Sequence, residues 1–156
     1  MTTNNDTKER ELVVSRTLNA PRELVWEAWT NPKHLINWWG PAGFTNTFTE
    51  INIRAGGSWV FTMHGPDGTD YQNRIDFKEV VKPERLAYSH GTGNADDPDK
   101  FEVVITLEEL NGKTLLTMRS VFASAEVLKM LVERAGAVDG ANQTIDKLEA
   151  ELLKMA

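Results

Sequence analysis

The chain has 156 residues, of which 40% are hydrophobic and 26% charged, values typical of one globular domain with one core. Its net charge of −6 excludes a general nucleic-acid-binding surface, which requires a basic face. The lack of cysteine excludes disulfides and thiolate metal sites, and no segment has the pattern of a signal peptide or a membrane span. We therefore expect a cytoplasmic protein that needs no cofactor and does not insert into membranes.

The N-terminal third predicts one strand and two short helices. Residues 1–10 are polar and charged, and we expect a disordered tail ahead of a single domain over residues 11–156. Apolar and polar residues alternate over residues 11–18, which predicts a first strand. A proline at the first helical position and an apolar face predict a helix over residues 21–29. A second proline starts a shorter helix over residues 32–37.

Tryptophan is concentrated in these two helices, because four of the five tryptophans lie between positions 26 and 39. Such density indicates either a packed lid on a sheet or the mouth of a binding site. The two interpretations stay open at this point.

The middle of the chain has the period-two pattern of β-strands from Phe44 to Phe122, with a possible break near Asn46. Pro66-Asp67-Gly68 and Asn111-Gly112 are hairpin turns, so five or six strands joined by short turns form an antiparallel sheet. Residues 91–99 contain two glycines, three aspartates and a proline, which predicts a solvated loop rather than a calcium site.

The C-terminal end is predicted to be helical in two parts. Ser124 is an N-cap for a helix up to residue 135, and Gly136 ends or kinks it. Residues 137–155 then carry an apolar stripe at steps of three and four, which a neighbouring element must cover. The sheet is the available cover. The fold class is therefore α+β, with a curved antiparallel sheet wrapped around a long C-terminal helix.

Four parts of the sequence together form a recognisable pattern. They are residues 20–32 with the following Trp38-Trp39-Gly40-Pro41, residues 55–59, residues 77–86 and residues 140–148. With this pattern the chain resembles, over residues 11–155, the SRPBCC proteins named after the activator of heat shock protein 90 ATPase. The resemblance implies the helix-grip, START-like fold. It also implies that the space between the sheet and the last helix holds a small hydrophobic or amphipathic molecule.

The candidate ligand-binding residues are the aromatic, methionine and polar residues on the inner faces of the strands and on the helix stripe. From the pattern alone they either line a pocket or fill a core. Polar residues on apolar faces favour a pocket, because a few polar groups orient a ligand in an apolar site. The predicted set is Trp38, Trp39, Trp59, Phe61, Met63, Asn73, Ile75, Met118, Ser120, Phe122, Leu131, Thr144 and Leu148.

No catalytic residue and no metal site is assigned. The histidines at positions 34, 64 and 90 lack the spacing of a helical zinc motif, and His64 and His90 are the candidates for a catalytic group at the cavity rim. Arg74 and Arg119 lie opposite the apolar faces of their strands and are expected to face solvent. A register slip of one residue would take them into the cavity instead.

The patterns and the resemblance together leave three possible functions. The leading hypothesis is non-catalytic binding of a small hydrophobic molecule between the sheet and the C-terminal helix. An alternative is an enzyme of the polyketide cyclase or hydratase type that uses the same cavity. The resemblance adds a third, a protein that interacts with a chaperone through its surface.

Overall fold

A computed structural model describes residues 8–93, 100–133 and 136–155, and within them it has seven strands and four helices. In chain order these are Glu11–Leu18 (β1), Arg22–Thr30 (α1), Pro32–Trp38 (α2), Thr45–Ile51 (β2), Ser58–His64 (β3), Asp70–Val81 (β4), Arg85–Gly91 (β5), Phe101–Leu110 (β6), Lys113–Val121 (β7), Ala125–Glu133 (α3) and Ala137–Met155 (α4).

The strands form one antiparallel sheet in the order β1-β7-β6-β5-β4-β3-β2. Strands β2 to β7 pair in sequence order, while β1 pairs with β7 at the far edge of the sheet. The register shifts between Phe48 and Glu50 in β2 and between Phe77 and Glu79 in β4. Such bulges bend a strand and increase its twist, which curves the sheet toward its inner face.

The long helix α4 lies against that inner face, as the apolar stripe predicted. Ile145, Leu148 and Leu152 are buried in the core together with inner-face residues of the strands. Arg16, at the β1 edge, donates to Asp146 at 2.6 Å and to Glu149 at 2.9 Å. The fold is therefore the helix-grip arrangement that the resemblance implied.

A buried carboxylate joins α4 to α2. Glu151 is only 5% exposed, and its Oε2 lies 2.9 Å from Nδ1 of His34 and accepts a hydrogen bond from Asn37 at 3.2 Å. Because a buried carboxylate needs partners of this kind, the two α2 side chains fix the position of α2 on the last turns of α4.

The tryptophans form a packed cluster. Trp38 is buried, and its indole N–H donates to the carbonyl of Ala28 at 3.0 Å. The rings of Trp29, Trp38 and Trp39 contact one another edge-on, with centroids 4.8 to 5.8 Å apart. Of the two interpretations of this density, a packed lid therefore describes Trp29 and Trp38.

Element boundaries differ from the predicted ones by one or two residues. The irregularity in β2 lies after Phe48 rather than near Asn46, because a bulge sits where the sheet must bend and the sequence pattern there is still alternating. Ser124 caps α3, since its Oγ accepts from the backbone N–H of Val127. Residues 1–7, 94–99 and 134–135 of the predicted tail, loop and helix end lie outside the described residues.

None of the helices in the described part of the chain is both long enough and apolar enough to cross a membrane.

Candidate ligand-binding site

A cavity of about 290 Å³ lies between the sheet, the segment after α2 and the start of α4. The sheet side comes from β3, β5, β6 and β7, and the opposite side comes from the first turns of α4. The described residues that line it are Trp39, Gly40, Pro41, Met63, Tyr88, His90, Phe101, Val103, Met118, Ser120, Gly136, Gly140, Ala141 and Thr144.

Strand pairing brings the sheet-side residues together in rows. Tyr88 pairs with Val103, which pairs in turn with Ser120 on β7, and His90 pairs with Phe101. Paired residues point to the same face of a sheet, so each row faces α4 as a unit. The sequence alternation in β5, β6 and β7 thus sets which side chains reach the cavity.

The cavity exists because α4 has small side chains near its start and large side chains further along. The cavity is lined by Gly136 directly before α4 and by Gly140 and Ala141 in its first turns. Further along the helix, Leu148 and Leu152 fill the space against the sheet. Side chains without bulk leave the inner face of the sheet uncovered over about two turns of the helix. The hydroxyl of Thr144, in the same segment, donates to the carbonyl of Gly140 at 2.9 Å.

The wall made by the segment after α2 is held by a lysine. The ammonium of Lys147 donates to the carbonyl oxygens of Gly40, Pro41 and Phe44 at 3.1, 3.3 and 3.4 Å. Burial lowers the pKa of Lys147 from its ordinary value, and these three acceptors offset part of that cost. These hydrogen bonds therefore hold the segment after α2 against the middle of α4.

Replacement of Gly40 by alanine is expected to move the side chain of Met63. A Cβ at position 40 would lie 2.8 Å from the terminal methyl of Met63, so that flexible methyl must shift. Gly40 also has φ of +94°, and alanine there costs roughly 1–2 kcal/mol of stability. Gly112, with φ of +82° and no atom within 4 Å, is the matched control.

Both variants should therefore unfold at lower denaturant concentration, whereas only Gly40→Ala should displace the Met63 methyl signal in a methyl NMR spectrum. An unchanged Met63 signal in Gly40→Ala would contradict this packing.

The imidazole of His90 is oriented by Asn73. The amide nitrogen of Asn73 donates to the carbonyl of Tyr71 at 3.0 Å, which points its oxygen at Nε2 of His90, 2.9 Å away. An amide oxygen only accepts, so Nε2 carries a hydrogen in this contact. Asn73 thus positions an ionisable ring that lines the cavity.

The structure places five of the thirteen predicted residues at the cavity: Trp39, Met63, Met118, Ser120 and Thr144.

The other eight lie elsewhere. Asn73 contacts His90, Phe122 stacks on Phe101 with ring centroids 4.8 Å apart, and Leu131 lies on α3. The remaining five are buried in the core: Trp38, Trp59, Phe61, Ile75 and Leu148. Ligand contact by any of the thirteen stays a prediction.

Nine lining residues were outside the predicted set, although His90 was a rim candidate. Tyr88 shares the inner-face parity of its strand, and this alternation could have identified it. Gly136 and Gly140 fall on or beside the helix stripe, where a missing side chain is itself a signal of space. The nine are Gly40, Pro41, Tyr88, His90, Phe101, Val103, Gly136, Gly140 and Ala141.

His64, Arg74 and Arg119 are not among the described residues that line the cavity. His64 contacts Thr47 and Asp70 at the end of β3. Arg74 pairs with Asp76, and Arg119 with Glu11, which confirms the predicted register for both arginines.

Among residues 8–93, 100–133 and 136–155, no three His, Asp or Glu side chains come together as a metal site.

Solved structures of similar proteins share the whole architecture. A protein from Arthrobacter aurescens is 27% identical with a TM-score of 0.86, covering 96% of this chain and 89% of that one. A protein from Mycobacterium smegmatis is 27% identical with a TM-score of 0.85, covering 97% and 96%. One from Nitrosomonas europaea is 28% identical with a TM-score of 0.83, covering 95% and 96%.

No curated protein matches the chain. A family model described as activator of Hsp90 ATPase homolog 1-like protein matches residues 19–153, which run from the end of β1 almost to the end of α4. Since this match takes in six of the seven strands, the tryptophan cluster and nearly all of α4, the chain belongs to the family of activator of Hsp90 ATPase homolog 1-like proteins.

Proposed function

We propose that this protein binds a small hydrophobic or amphipathic molecule in the cavity between the sheet and α4. The observation that carries the proposal is the cavity itself, about 290 Å³ in volume and lined mainly by aromatic, methionine and small side chains. Its size is near the lower end of the roughly 300–1,000 Å³ of small-molecule sites, and a few polar groups in an apolar lining are typical of them.

Replacement of Ala141 by phenylalanine should abolish binding. Ala141 lines the cavity on α4, so a phenyl ring there would occupy the space that the ligand needs. Ala150, exposed on the same helix, is the matched control for the same substitution. We expect binding to weaken at least about tenfold in Ala141→Phe and to stay unchanged in Ala150→Phe, because a displaced ligand loses most of its buried apolar area.

The measurement is a chemical-shift titration with medium-chain fatty acids and neutral bicyclic aromatics. Amides of β5, β6 and β7 that face the cavity should shift in the wild type and in Ala150→Phe. If no molecule in the panel moved these amides, or if Ala141→Phe bound as well as the wild type, the proposal would be refuted.

An enzyme that uses the same cavity is the second candidate, and the pairing of His90 with Asn73 favours it. An imidazole oriented by an amide at the edge of an apolar cavity is a suitable acid or base for a cyclase or hydratase reaction. Mass spectrometry of a bound probe after long incubation separates the candidates. A probe converted by the wild type but not by His90→Gln indicates an enzyme, whereas a probe recovered unchanged indicates a binding protein.

Contact with a chaperone is the third candidate, which stays a prediction from the family. It requires an exposed apolar surface outside the cavity, and Met130 and Val132 on α3 are exposed apolar residues of this kind. Co-purification with Hsp90 that is lost in the double variant Met130→Ser, Val132→Ser would support it, and co-purification unaffected by that variant would refute this surface.

A further inference from the structure

The described part of the cavity lining contains no carboxylate, ammonium or guanidinium side chain. Its polar side chains are Tyr88, His90, Ser120 and Thr144, and none of the lining residues is Asp, Glu, Lys or Arg. Lys147, the charged group just behind the wall, is occupied by three backbone carbonyls. A ligand with a carboxylate or an ammonium group would therefore lose its hydration in this lining without a fixed counter-charge.

Among these polar groups, the hydroxyl of Tyr88 is the one that a ligand could provide with a hydrogen-bond partner. It is 4% exposed and lines the cavity, and its ring lies edge-on to Phe77 with centroids 5.9 Å apart. No hydrogen bond joins its hydroxyl to another of residues 8–93, 100–133 and 136–155, and its oxygen is not among the fully buried side-chain atoms that lack a partner. A tyrosine hydroxyl at an apolar cavity normally finds a hydrogen-bond partner, and a ligand in the cavity could provide one.

The hydroxyl of Tyr88 acts as a donor. Burial raises the pKa of Tyr88 well above its ordinary value, so the phenol keeps its proton throughout the physiological range. A neutral phenol donates to an oxygen acceptor more readily than it accepts. The complement of this group is an acceptor oxygen on the ligand.

The row of paired residues defines how far such a ligand can extend. Tyr88 and Ser120 are two strands apart in one row, with Val103 between them. Neighbouring strands are about 4.8 Å apart, so the two backbones lie roughly 10 Å from each other. A molecule of two fused rings spans that distance, with Val103 and Met118 beneath its apolar body.

We infer that the cavity selects an uncharged, largely apolar molecule whose carbonyl oxygen accepts a hydrogen bond from the Tyr88 hydroxyl. The inference rests on the proposed function and names the chemical class of its ligand. Ketones and enones on an aromatic or alicyclic body belong to this class. Carboxylates and amines of the same shape do not.

Three naphthalenes of nearly the same shape test this class. They are 2-acetylnaphthalene with a carbonyl, 2-ethylnaphthalene without one, and 2-naphthoate with a charge. Each is titrated into the wild type, Tyr88→Phe and the matched control Tyr71→Phe, whose phenol is exposed outside the cavity. Dissociation constants come from chemical shifts of cavity-facing amides.

The wild type and Tyr71→Phe should bind the ketone about fivefold more tightly than the hydrocarbon, as one neutral hydrogen bond provides. In Tyr88→Phe this preference should disappear while the affinity for 2-ethylnaphthalene is retained. Naphthoate should bind more weakly than the ketone in all three proteins.

The two proposals fail in different ways. If none of the three molecules binds, both the proposed function and this inference are refuted. If they bind but the ketone shows no preference, if that preference survives in Tyr88→Phe, or if naphthoate binds best, the inference is overturned and the binding function stands.

Discussion

Replacement of Trp38 by alanine is expected to lower the free energy of unfolding by about 3–5 kcal/mol, the range for large aromatic residues deleted from a core. Trp38 is 1% exposed and lies between the rings of Trp29 and Trp39, so its removal leaves a hole that the neighbours cannot fill without losing their edge-on contacts. It also leaves the carbonyl of Ala28 without its donor. Urea denaturation followed by circular dichroism measures the loss.

Two further variants separate the causes. Trp38→Phe keeps most of the ring but removes the indole N–H, so we expect a smaller loss of about 1–3 kcal/mol. Ile36→Ala, on an exposed position of the same helix, should change stability by less than about 1 kcal/mol. A Trp38→Ala variant as stable as Ile36→Ala would show that the cluster does not anchor α2.

The second large effect is expected from Leu148→Ala, with a loss of about 2–5 kcal/mol. Leu148 has no exposed surface and lies on α4 where that helix fills the curved sheet. The rigid strands around it cannot collapse into the cavity that alanine leaves. Differential scanning calorimetry should show a lower Tm.

Leu153 provides the control for this substitution. It is on the same helix but 78% exposed, so Leu153→Ala should stay within about 0.5 kcal/mol of the wild type. Because alanine favours the helix at least as much as leucine does, helix propensity cannot cause a loss in either variant. Equal losses would mean that the burial of Leu148 against the sheet does not stabilise α4 more than an exposed position does.

The architecture was predictable because its local signals agree with one another. The stripe of residues 137–155 and the turn at Asn111-Gly112 each depend on a few neighbouring residues, and both predictions are confirmed. The bulge between Phe48 and Glu50 was predicted at the wrong position, near Asn46, because it arises where the whole sheet bends around α4. Curvature of that kind is a property of the assembled sheet.

The site was predictable only in part, for a physical reason. Alternation along a strand shows which face a residue occupies, but not whether the helix opposite fills the space in front of it. Trp59 and Phe61 stack on each other at 4.3 Å and belong to the filled core, whereas Ser120 faces the small start of α4. The space in front of each row of strand residues depends on Gly140 and Ala141, which are distant in sequence from those strands.

Trp39 belongs both to the aromatic cluster and to the cavity wall, with its ring 4.9 Å from that of Trp59 and 5.7 Å from that of Trp38. A guest seated in the cavity would touch an indole that exchanges excitation energy with its neighbours. A bound ligand would then change the emission wavelength and the lifetime of the intrinsic tryptophan fluorescence. The fold thus carries a built-in optical reporter, and unlabelled molecules can be screened by fluorescence alone.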